Sequence, residues 1–160
     1  MGSGKSTIGK ILSTYMNIPF IDLDQYIEEK EQMSINDLFK NKGEIYFRKQ
    51  EHLFFKELVH SNKSFVLSLG GGTPCYANNH LLLQQDHVIS FYLKANVSTL
   101  VQRLQNEKEN RPLLQTTDDL ASYIGQHLFE RVYYYNFAHH KITTDQKNFE
   151  QISKEIISLA

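Results

Sequence analysis

The sequence predicts an α/β fold in which helices cover both faces of a central parallel sheet. Short apolar runs that suit buried strands alternate with segments of helical periodicity along the whole chain. The 160 residues match the length of one ordinary domain, and 41% of them are hydrophobic, which suffices for a core. Acidic and glycine-rich stretches follow individual strands, at the edge where parallel sheets bind their ligands.

The N-terminal part begins with a helix at residues 7–16, where apolar side chains recur at helical spacing. Residues 18–23 form a short apolar run that ends in acidic residues, which predicts a buried strand. The next helix begins at Ser34, because Asp37 follows three residues later in a capping-box-like arrangement. Gly43 suits the carboxyl end of that helix.

The middle of the chain contains a longer helix at residues 44–59 and a second apolar strand at residues 65–69. Three glycines at residues 70–72 end that strand. A third strand is predicted at residues 88–93, and Asn96 can cap the helix that follows it.

The C-terminal part starts with a polar segment at residues 106–117, which predicts a loop. A helix at residues 118–137, a short fourth strand at residues 141–144 and a final helix at residues 149–159 complete the alternation. We expect the whole of residues 1–160 to form a single domain.

Composition and charge argue against several classes of protein. The 17 basic and 18 acidic residues give a net charge of −1, so no general attraction to nucleic acid or to a membrane surface is expected. No apolar run reaches the ~18 residues of a membrane span. Cys75 is the single cysteine, which excludes an internal disulfide and suits a reducing, cytoplasmic compartment. The seven histidines show no metal-binding spacing, and the tyrosines at residues 133–135 suit core and rim packing.

The chain opens with MGSGKST, in which Gly4, Lys5 and Ser6 form the GK[ST] core of a phosphate-binding loop. Backbone N–H groups of such a loop surround phosphate oxygens, and the following helix adds its positive N-terminal end. Lys5 would then reach the β- and γ-phosphates, and Ser6 would bind Mg²⁺. A flexible Gly/Ser-rich start is the alternative, but the helix that follows directly favours the loop. The same residues match a myristoylation pattern, which we interpret as a coincidence.

Asp22 and Asp24 lie two residues apart at the end of the first predicted strand, so their side chains would share one face. One carboxylate could hold Mg²⁺ through water, and the other could accept a hydroxyl proton or a substrate hydrogen bond. The alternative is an ordinary pair of acids at a strand end, and these two residues alone favour that alternative.

The triple glycine is a more specific feature than the isolated charges. Three glycines cost backbone entropy, which close approach of a ligand to the backbone would offset. A simple turn is the alternative, although a turn rarely needs three glycines. Arg48, taken alone, is instead interpreted as a solvated helix charge paired with Glu44 or Glu51, four and three residues away.

Three further arginines are candidates for the site. Arg111, followed by Pro112, sits in the predicted loop at residues 106–117, and an arginine on a lid can close over the transferred phosphate. Arg131, taken alone, is an ordinary helix charge. Arg103 could stack on a base through its planar guanidinium or be a surface charge, and the sequence favours neither.

The order of these motifs resembles that of the shikimate kinase family. The matching stretches are MGSGKST, DLD at residues 22–24, Phe47-Arg48, the triple glycine, RPLL at residues 111–114 and ERVYY at residues 130–134. The triple glycine and RPLL are the most specific of them, and the resemblance runs from Gly2 to the final helix. It implies a three-layer P-loop kinase fold with a central parallel sheet flanked by helices. It also implies a lid loop at about residues 106–117 and a substrate-binding helical region at about residues 25–60.

In that family the loop is preceded by its first glycine and by the first, central strand of the sheet. Met1 falls inside the loop, so we expect this strand to be missing from the sequence, through a late-assigned start or a trimmed chain. Its loss would leave two neighbouring strands with unpaired backbone groups. We therefore expect these 160 residues alone to be poorly stable and weakly active.

The resemblance implies transfer of the γ-phosphate of ATP to the 3-hydroxyl of shikimate in aromatic amino acid biosynthesis, by a monomeric protein with Mg²⁺ as cofactor. The ATP phosphates would contact Gly2, Ser3, Gly4, Lys5, Ser6 and Thr7. Arg111 would close onto them from the lid, Arg103 would pack on adenine, and Lys147 falls near an adenine-contacting position. Ser6 and, through water, Asp22 would hold the metal.

On the acceptor side, the resemblance implies that Arg48 and Arg131 bind the shikimate carboxylate, and arginine suits bidentate carboxylate binding. Asp24 would bind substrate hydroxyls and act as the base. The glycine turn would offer backbone groups to the substrate through Gly70, Gly71 and Gly72. Lys5, Asp24 and Arg111 would be the catalytic residues.

Two alternatives remain open. Another small P-loop kinase, such as one for gluconate or a nucleoside monophosphate, would share the loop, although Arg48, Gly71 and Arg131 argue against a nucleotide acceptor. The other alternative is a truncated, weakly active or inactive ligand-binding remnant. ATP consumption with and without shikimate separates these possibilities.

Overall fold

The computed structural model describes residues 2–105 and 119–160 of the chain. Its helices are α1 Lys5–Met16, α2 Leu23–Glu31, α3 Ile35–Val59, α4 Asn79–Leu82, α5 Val97–Gln105, α6 Leu120–Tyr135 and α7 Phe149–Ile157. Its strands are β1 Phe20–Asp22, β2 Val66–Ser68, β3 Phe91–Lys94 and β4 His140–Thr143, and a 3₁₀ helix covers Thr73–Cys75. This alternation confirms the predicted α/β class. The predicted lid at residues 106–117, with Arg111, lies outside the described residues.

The four described strands form two parallel pairs rather than one continuous sheet. β1 pairs with β2, with Phe20 opposite Val66 and Asp22 opposite Ser68. β3 pairs with β4 in the same parallel manner, starting with Phe91 opposite His140. Within each pair the carboxyl ends of the strands therefore meet at one edge.

An apolar groove of about 490 Å³ runs between the two pairs, along the facing sides of β2 and β3. We call it the inter-sheet groove. Residues 65–71 and 88–93 contribute to its wall without a break. Ser3 and Lys5 line it beside the glycine turn, so one end of the groove opens at the N-terminal loop.

Helices cover both faces of β2. Its alternate residues point to opposite faces, and Leu67 packs against the apolar cluster of α2 and α3, while Val66 packs against the cluster of α1 and α7. A third cluster joins α5 to α6 through Leu100, Leu104, Leu120 and Ile124. These clusters hold the loops at the strand ends in place.

Most element ends differ from the prediction by one to three residues, and two of the differences bear on the site or on the helix beside it. The first strand ends at Asp22, and Asp24 lies in α2 rather than on the strand, because the Asp22 carboxylate accepts the N–H of Asp24 at 3.1 Å and caps that helix. The helices predicted on either side of Gly43 form one element, α3, with a kink at Gly43, whose φ of 83° and ψ of 167° are not helical.

One other expected feature is present. Ser34 caps α3 by accepting the N–H of Asp37, as its sequence spacing predicts. Within the described part of the chain, no helix combines the length and apolarity that crossing a membrane requires.

Candidate active site

The N-terminal loop has the backbone of an anion-binding turn. Gly4 precedes α1 with a left-handed φ of 83°, and Gly2 has a φ of 68°. A Cβ atom on Gly4 would lie 2.9 Å from the Phe149 ring, and one on Gly2 would lie 2.9 Å from Leu104. Both positions therefore require glycine, and the loop is held between α5 and α7. The positive N-terminal end of α1 begins directly at Lys5.

Ser6 links this loop to the first acidic residue. Its hydroxyl donates to Asp22 Oδ2 at 3.1 Å, while the other oxygen of Asp22 accepts the N–H of Asp24. The structure therefore brings the predicted metal-binding pair together across two separate elements. A hydroxyl and a carboxylate are hard oxygen donors, and Mg²⁺ beside phosphates is typically held by one or two such protein groups and water. These two residues fit Mg²⁺.

Asp24 occupies an unusual electrostatic position. Burial, followed by the negative charges of Asp22 and Glu51, raises the pKa of its carboxyl to about 6, and nearby Lys5 opposes that rise. The glycine turn lies directly against it, since a Cβ atom on Gly70 would be 3.2 Å from Asp24 Oδ1. A carboxylate with a raised pKa in such a place is a candidate proton acceptor.

Arg48 is held on several sides. Its Nη1 donates to Glu51 at 2.9 Å, its Nε donates to Glu44 at 3.3 Å, and its guanidinium lies 4.0 Å from the centroid of the Tyr76 ring. A Cβ atom on Gly72 would lie 3.0 Å from both terminal nitrogens of Arg48. Arg48 thus forms ion pairs with both of the acidic residues that the sequence predicted as partners, and it also faces the glycine turn.

Glu51 is a site residue that sequence reasoning assigned only to an ordinary ion pair. Its side chain is 1% exposed, and it accepts a 2.6 Å hydrogen bond from the buried hydroxyl of Thr73. Asn79 in turn donates to the carbonyl of Thr73 at 2.9 Å. This network fixes Arg48 against the glycine turn. The three-residue spacing from Arg48 predicted the ion pair, but the sequence did not predict that Glu51 is buried.

Arg131 and Tyr135 lie one turn apart on α6 and face the same turn. The Tyr135 hydroxyl donates to the carbonyl oxygen of Gly71 at 2.7 Å, and Arg131 lines the groove beside Gly71. Burial raises the pKa of the Cys75 thiol, and the charges of Arg131 and Arg48 both oppose that rise. Positive charges on α3 and α6 thus both act on the thiol that follows the glycine turn. Tyr135 was missed because the tyrosine run was interpreted as packing.

The residues predicted to contact adenine gather at the end of β4. Arg103 donates to the Thr144 hydroxyl at 3.2 Å and to its carbonyl at 3.0 Å, so the guanidinium is anchored rather than a free surface charge. Lys147 lies three residues further and forms an ion pair with Glu155 at 2.5 Å. Both lie on elements adjoining the N-terminal loop. Their contact with a base stays a prediction, and Arg111 lies outside the described residues.

The site thus has two halves. A phosphate-binding loop with Lys5 and Ser6 forms one half, and the glycine turn with two arginines forms the other. Ser3, Lys5, Gly70, Gly71 and Arg131 line one cavity. A P-loop facing a small cavity with an arginine in its lining, at the carboxyl ends of parallel strands, is typical of the P-loop class of kinases.

Comparison with known proteins identifies the family within that class. The family model described as shikimate kinase matches residues 1–160. A shikimate kinase of Flavobacterium psychrophilum is 51% identical over 158 residues, which cover 98% of this chain and 92% of that protein. The shikimate kinase of Flavobacterium johnsoniae is 48% identical over 161 residues, 99% of this chain and 94% of that protein. The chain belongs to the shikimate kinase family, whose members are ATP-dependent phosphotransferases.

Solved structures agree with this placement. The shikimate kinase of Acinetobacter baumannii in complex with shikimate has a TM-score of 0.87 at 34% identity, over 99% of this chain and 87% of that one. The shikimate kinase of Bacteroides thetaiotaomicron has a TM-score of 0.88 at 31% identity, over 99% and 93%. These neighbours confirm the P-loop kinase fold.

Proposed function

We propose that this chain transfers the γ-phosphate of ATP to the 3-hydroxyl of shikimate, with direct in-line attack and no phospho-enzyme. The observation that carries the proposal is the single cavity in which Lys5 and Ser3 of the phosphate-binding loop face Arg131 and the glycine turn. The structural neighbour from Acinetobacter baumannii, which has shikimate bound, supports the same acceptor.

The acceptor half suits a small carboxylate with hydroxyl groups. Arg48 lies against Gly72 from α3, and Arg131 lines the cavity beside Gly71 from α6, so two planar guanidinium groups flank the turn where a carboxylate would bind. Tyr76 packs on the face of the Arg48 guanidinium, and Glu51 accepts a hydrogen bond from its Nη1. The guanidinium N–H groups that these contacts do not use would bind the ligand. Gly70, Gly71 and Gly72 are partly buried and carry no side chain, which lets the substrate ring approach their backbone closely.

Asp24 is proposed to orient the attacking hydroxyl and accept its proton. With a pKa of about 6, its carboxyl is mostly ionised at neutral pH and still basic enough to take up a proton. The P–O bond to the leaving diphosphate breaks as the bond to the substrate oxygen forms, and Lys5 stabilises the charge on the phosphate oxygens. Positioning supplies most of the catalysis, as in other phosphoryl transfers.

The nucleotide half is proposed to use the loop from Gly2 to Thr7, with Arg103 and Lys147 near adenine and Arg111 closing over the phosphates. Ser6 and Asp22 are the residues that would hold Mg²⁺. When bound there, this ion would neutralise negative charge on the phosphates.

ATP consumption by the 160-residue chain, measured with shikimate, with gluconate, with nucleoside monophosphates and without acceptor, tests the proposal. Consumption that depends on shikimate is expected, whereas a preference for another acceptor would refute the substrate assignment. K5M should abolish turnover. R131A should raise KM for shikimate far more than KM for ATP, and an equal rise in both would contradict the acceptor role of Arg131.

A further inference from the structure

Arg48 meets two aromatic rings in addition to its acidic partners. Its guanidinium carbon lies over the Tyr76 ring, 4.0 Å from the centroid, and 5.1 Å from the centroid of the Phe47 ring. Glu44 accepts from Nε and Glu51 accepts from Nη1, while Nη2 donates to no residue within the described part of the chain. The carboxylates fix two of the three nitrogens, so the rings bear on how the plane of the guanidinium is turned.

The Tyr76 side chain contributes little to the core. It is 40% exposed, and within the described residues it belongs to none of the apolar clusters. Its hydroxyl donates to Glu44 over 3.3 Å, which is longer than an ordinary O–H···O bond. A cationic group over the face of an aromatic ring is attracted to that face, more strongly where water is excluded. The contact with the Arg48 guanidinium is therefore the main interaction of this ring.

The chain turns after Tyr76 through an unfavourable backbone conformation. Ala77 has a φ of 49° and Asn78 has a φ of 58°, both in the left-handed region that residues other than glycine seldom adopt. Asparagine tolerates this region better than alanine, so the cost falls mainly on Ala77. Strain of this kind persists only where surrounding contacts impose it. Contacts on the C-terminal side of Tyr76 therefore hold the turn in place.

Asn79 supplies those contacts. It is fully buried, its N–H donates to the carbonyl of Tyr76 at 2.9 Å, and its side-chain nitrogen donates to the carbonyl of Thr73 at 2.9 Å. Its side-chain oxygen therefore accepts from Nδ1 of His52, at 2.7 Å. His52 lies one turn after Arg48 on α3. The same helix thus carries the guanidinium and anchors the loop that carries the ring.

Gly72 approaches Arg48 from the other end of the same segment. Its φ of −87° and ψ of −22° are open to any residue, so the backbone does not require glycine there. A Cβ atom at this position, however, would lie 3.0 Å from both Nη1 and Nη2 of Arg48. The missing side chain at residue 72 and the ring at residue 76 therefore both suit the position of one guanidinium.

We propose that Tyr76 is a positioning residue of the acceptor site, whose ring holds the Arg48 guanidinium in the orientation that binds a carboxylate. The inference rests on the proposed function, in which Arg48 binds the carboxylate of shikimate. Nη2 and the second N–H of Nη1 form an edge that two carboxylate oxygens can share. A guanidinium that is oriented before binding loses less freedom when the ligand arrives, so the ring strengthens binding without contacting the reacting atoms.

Leucine and phenylalanine at residue 76 separate the role of the ring from that of the hydroxyl. Y76L removes the aromatic face but keeps an apolar side chain, so KM for shikimate should rise about fivefold. KM for ATP and kcat should change less than twofold, because the phosphate-binding loop and Asp24 keep their contacts. Y76F keeps the ring and should change KM for shikimate less than twofold. The matched control is Y15L, which removes a 69% exposed tyrosine ring from α1 and should leave all three constants unchanged.

Three kinetic results would overturn the proposal. An effect of Y76L no larger than that of Y15L would show that the ring does not act on the acceptor. Equal losses in Y76F and Y76L would assign the effect to the hydroxyl and Glu44. A fall in kcat, or an equal rise in KM for ATP, would indicate a general distortion of the site.

Side-chain NMR of the unliganded 160-residue chain tests the position of Arg48 directly. The order parameter of the Arg48 Nε–H group, whose resonance is identified by its loss in R48K, should fall in Y76L and be retained in Y76F and Y15L. An unchanged order parameter in Y76L would refute the role of the ring. This measurement uses neither ATP nor shikimate. Failure of the proposed function would instead appear in the parent chain, as ATP consumption that does not depend on shikimate.

Discussion

The hydroxyl of Tyr135 donates a 2.7 Å hydrogen bond to the carbonyl oxygen of Gly71 and thereby joins α6 to the glycine turn. Burial raises the pKa of the phenol, which keeps it protonated and able to donate at neutral pH. Arg131 lies one turn before Tyr135 on the same helix, so a single bond sets the distance between the guanidinium and the turn. This pairing couples the two elements that the proposed function assigns to the acceptor.

Replacing Tyr135 with phenylalanine removes this bond together with the contact of the hydroxyl with Arg131. A neutral hydrogen bond contributes about 1 kcal/mol, so Y135F should raise KM for shikimate about fivefold. KM for ATP should change less than twofold, because the nucleotide half is not involved. The matched control is Y133F, since the Tyr133 side chain two residues earlier is 63% exposed. Equal effects of Y135F on both substrates, or an equal effect of Y133F, would contradict the positioning role.

Glu51 is buried and forms an ion pair with Arg48, which balances its negative charge. E51Q keeps the shape but leaves Arg48 with a weaker partner, so KM for shikimate should rise about tenfold or more and the unfolding midpoint should fall. E44Q removes the other, exposed partner of Arg48 and should change KM less than threefold. Steady-state kinetics of both variants test this prediction. A larger rise in KM for shikimate in E44Q than in E51Q would contradict it.

Sequence reasoning found the features whose chemistry is local. The GK[ST] core and the cap at Ser34 each depend on a few consecutive residues, and the structure places them as expected. The meeting of Ser6 with Asp22 also followed, because the strand end and the loop occupy one sheet edge.

Features that depend on long-range packing could not be predicted from the sequence. Which of three adjacent tyrosines meets Gly71 depends on the rotation of α6, which no local pattern determines. The burial of Glu51 depends on Thr73 and on the turn that carries it, 22 residues away. Asp24 lies in α2 and not on the strand, because Asp22 caps that helix. An Asp-Leu-Asp sequence is compatible with both a strand end and a helix start, so it does not predict which one forms.

Asp24 makes stability depend on pH. Its folded-state pKa of about 6 lies above the ordinary aspartate value of 3.8, so the folded chain binds the extra proton and stability falls as pH rises from 4 to 6. Ionisation of Asp24 then opposes folding by up to about 3 kcal/mol above pH 6. D24N should therefore be more stable than the parent chain at pH 8, with the difference shrinking toward pH 4. Denaturant unfolding in metal-free buffer measures this, with the exposed-site variant D37N as control.

Ser6 and Asp22 supply the last prediction, which concerns the metal rather than the acceptor. S6A removes one of the two hard oxygen donors and, with it, the exposed hydrogen bond from Ser6 to Asp22, whose loss should cost little stability. The Mg²⁺ concentration for half-maximal activity should rise about tenfold, with KM for shikimate nearly unchanged, because the acceptor half keeps all of its contacts. T14A, which removes an exposed hydroxyl from the same helix, serves as the control and should leave the Mg²⁺ titration unchanged. A normal Mg²⁺ titration for S6A would show that the metal is held without this hydroxyl.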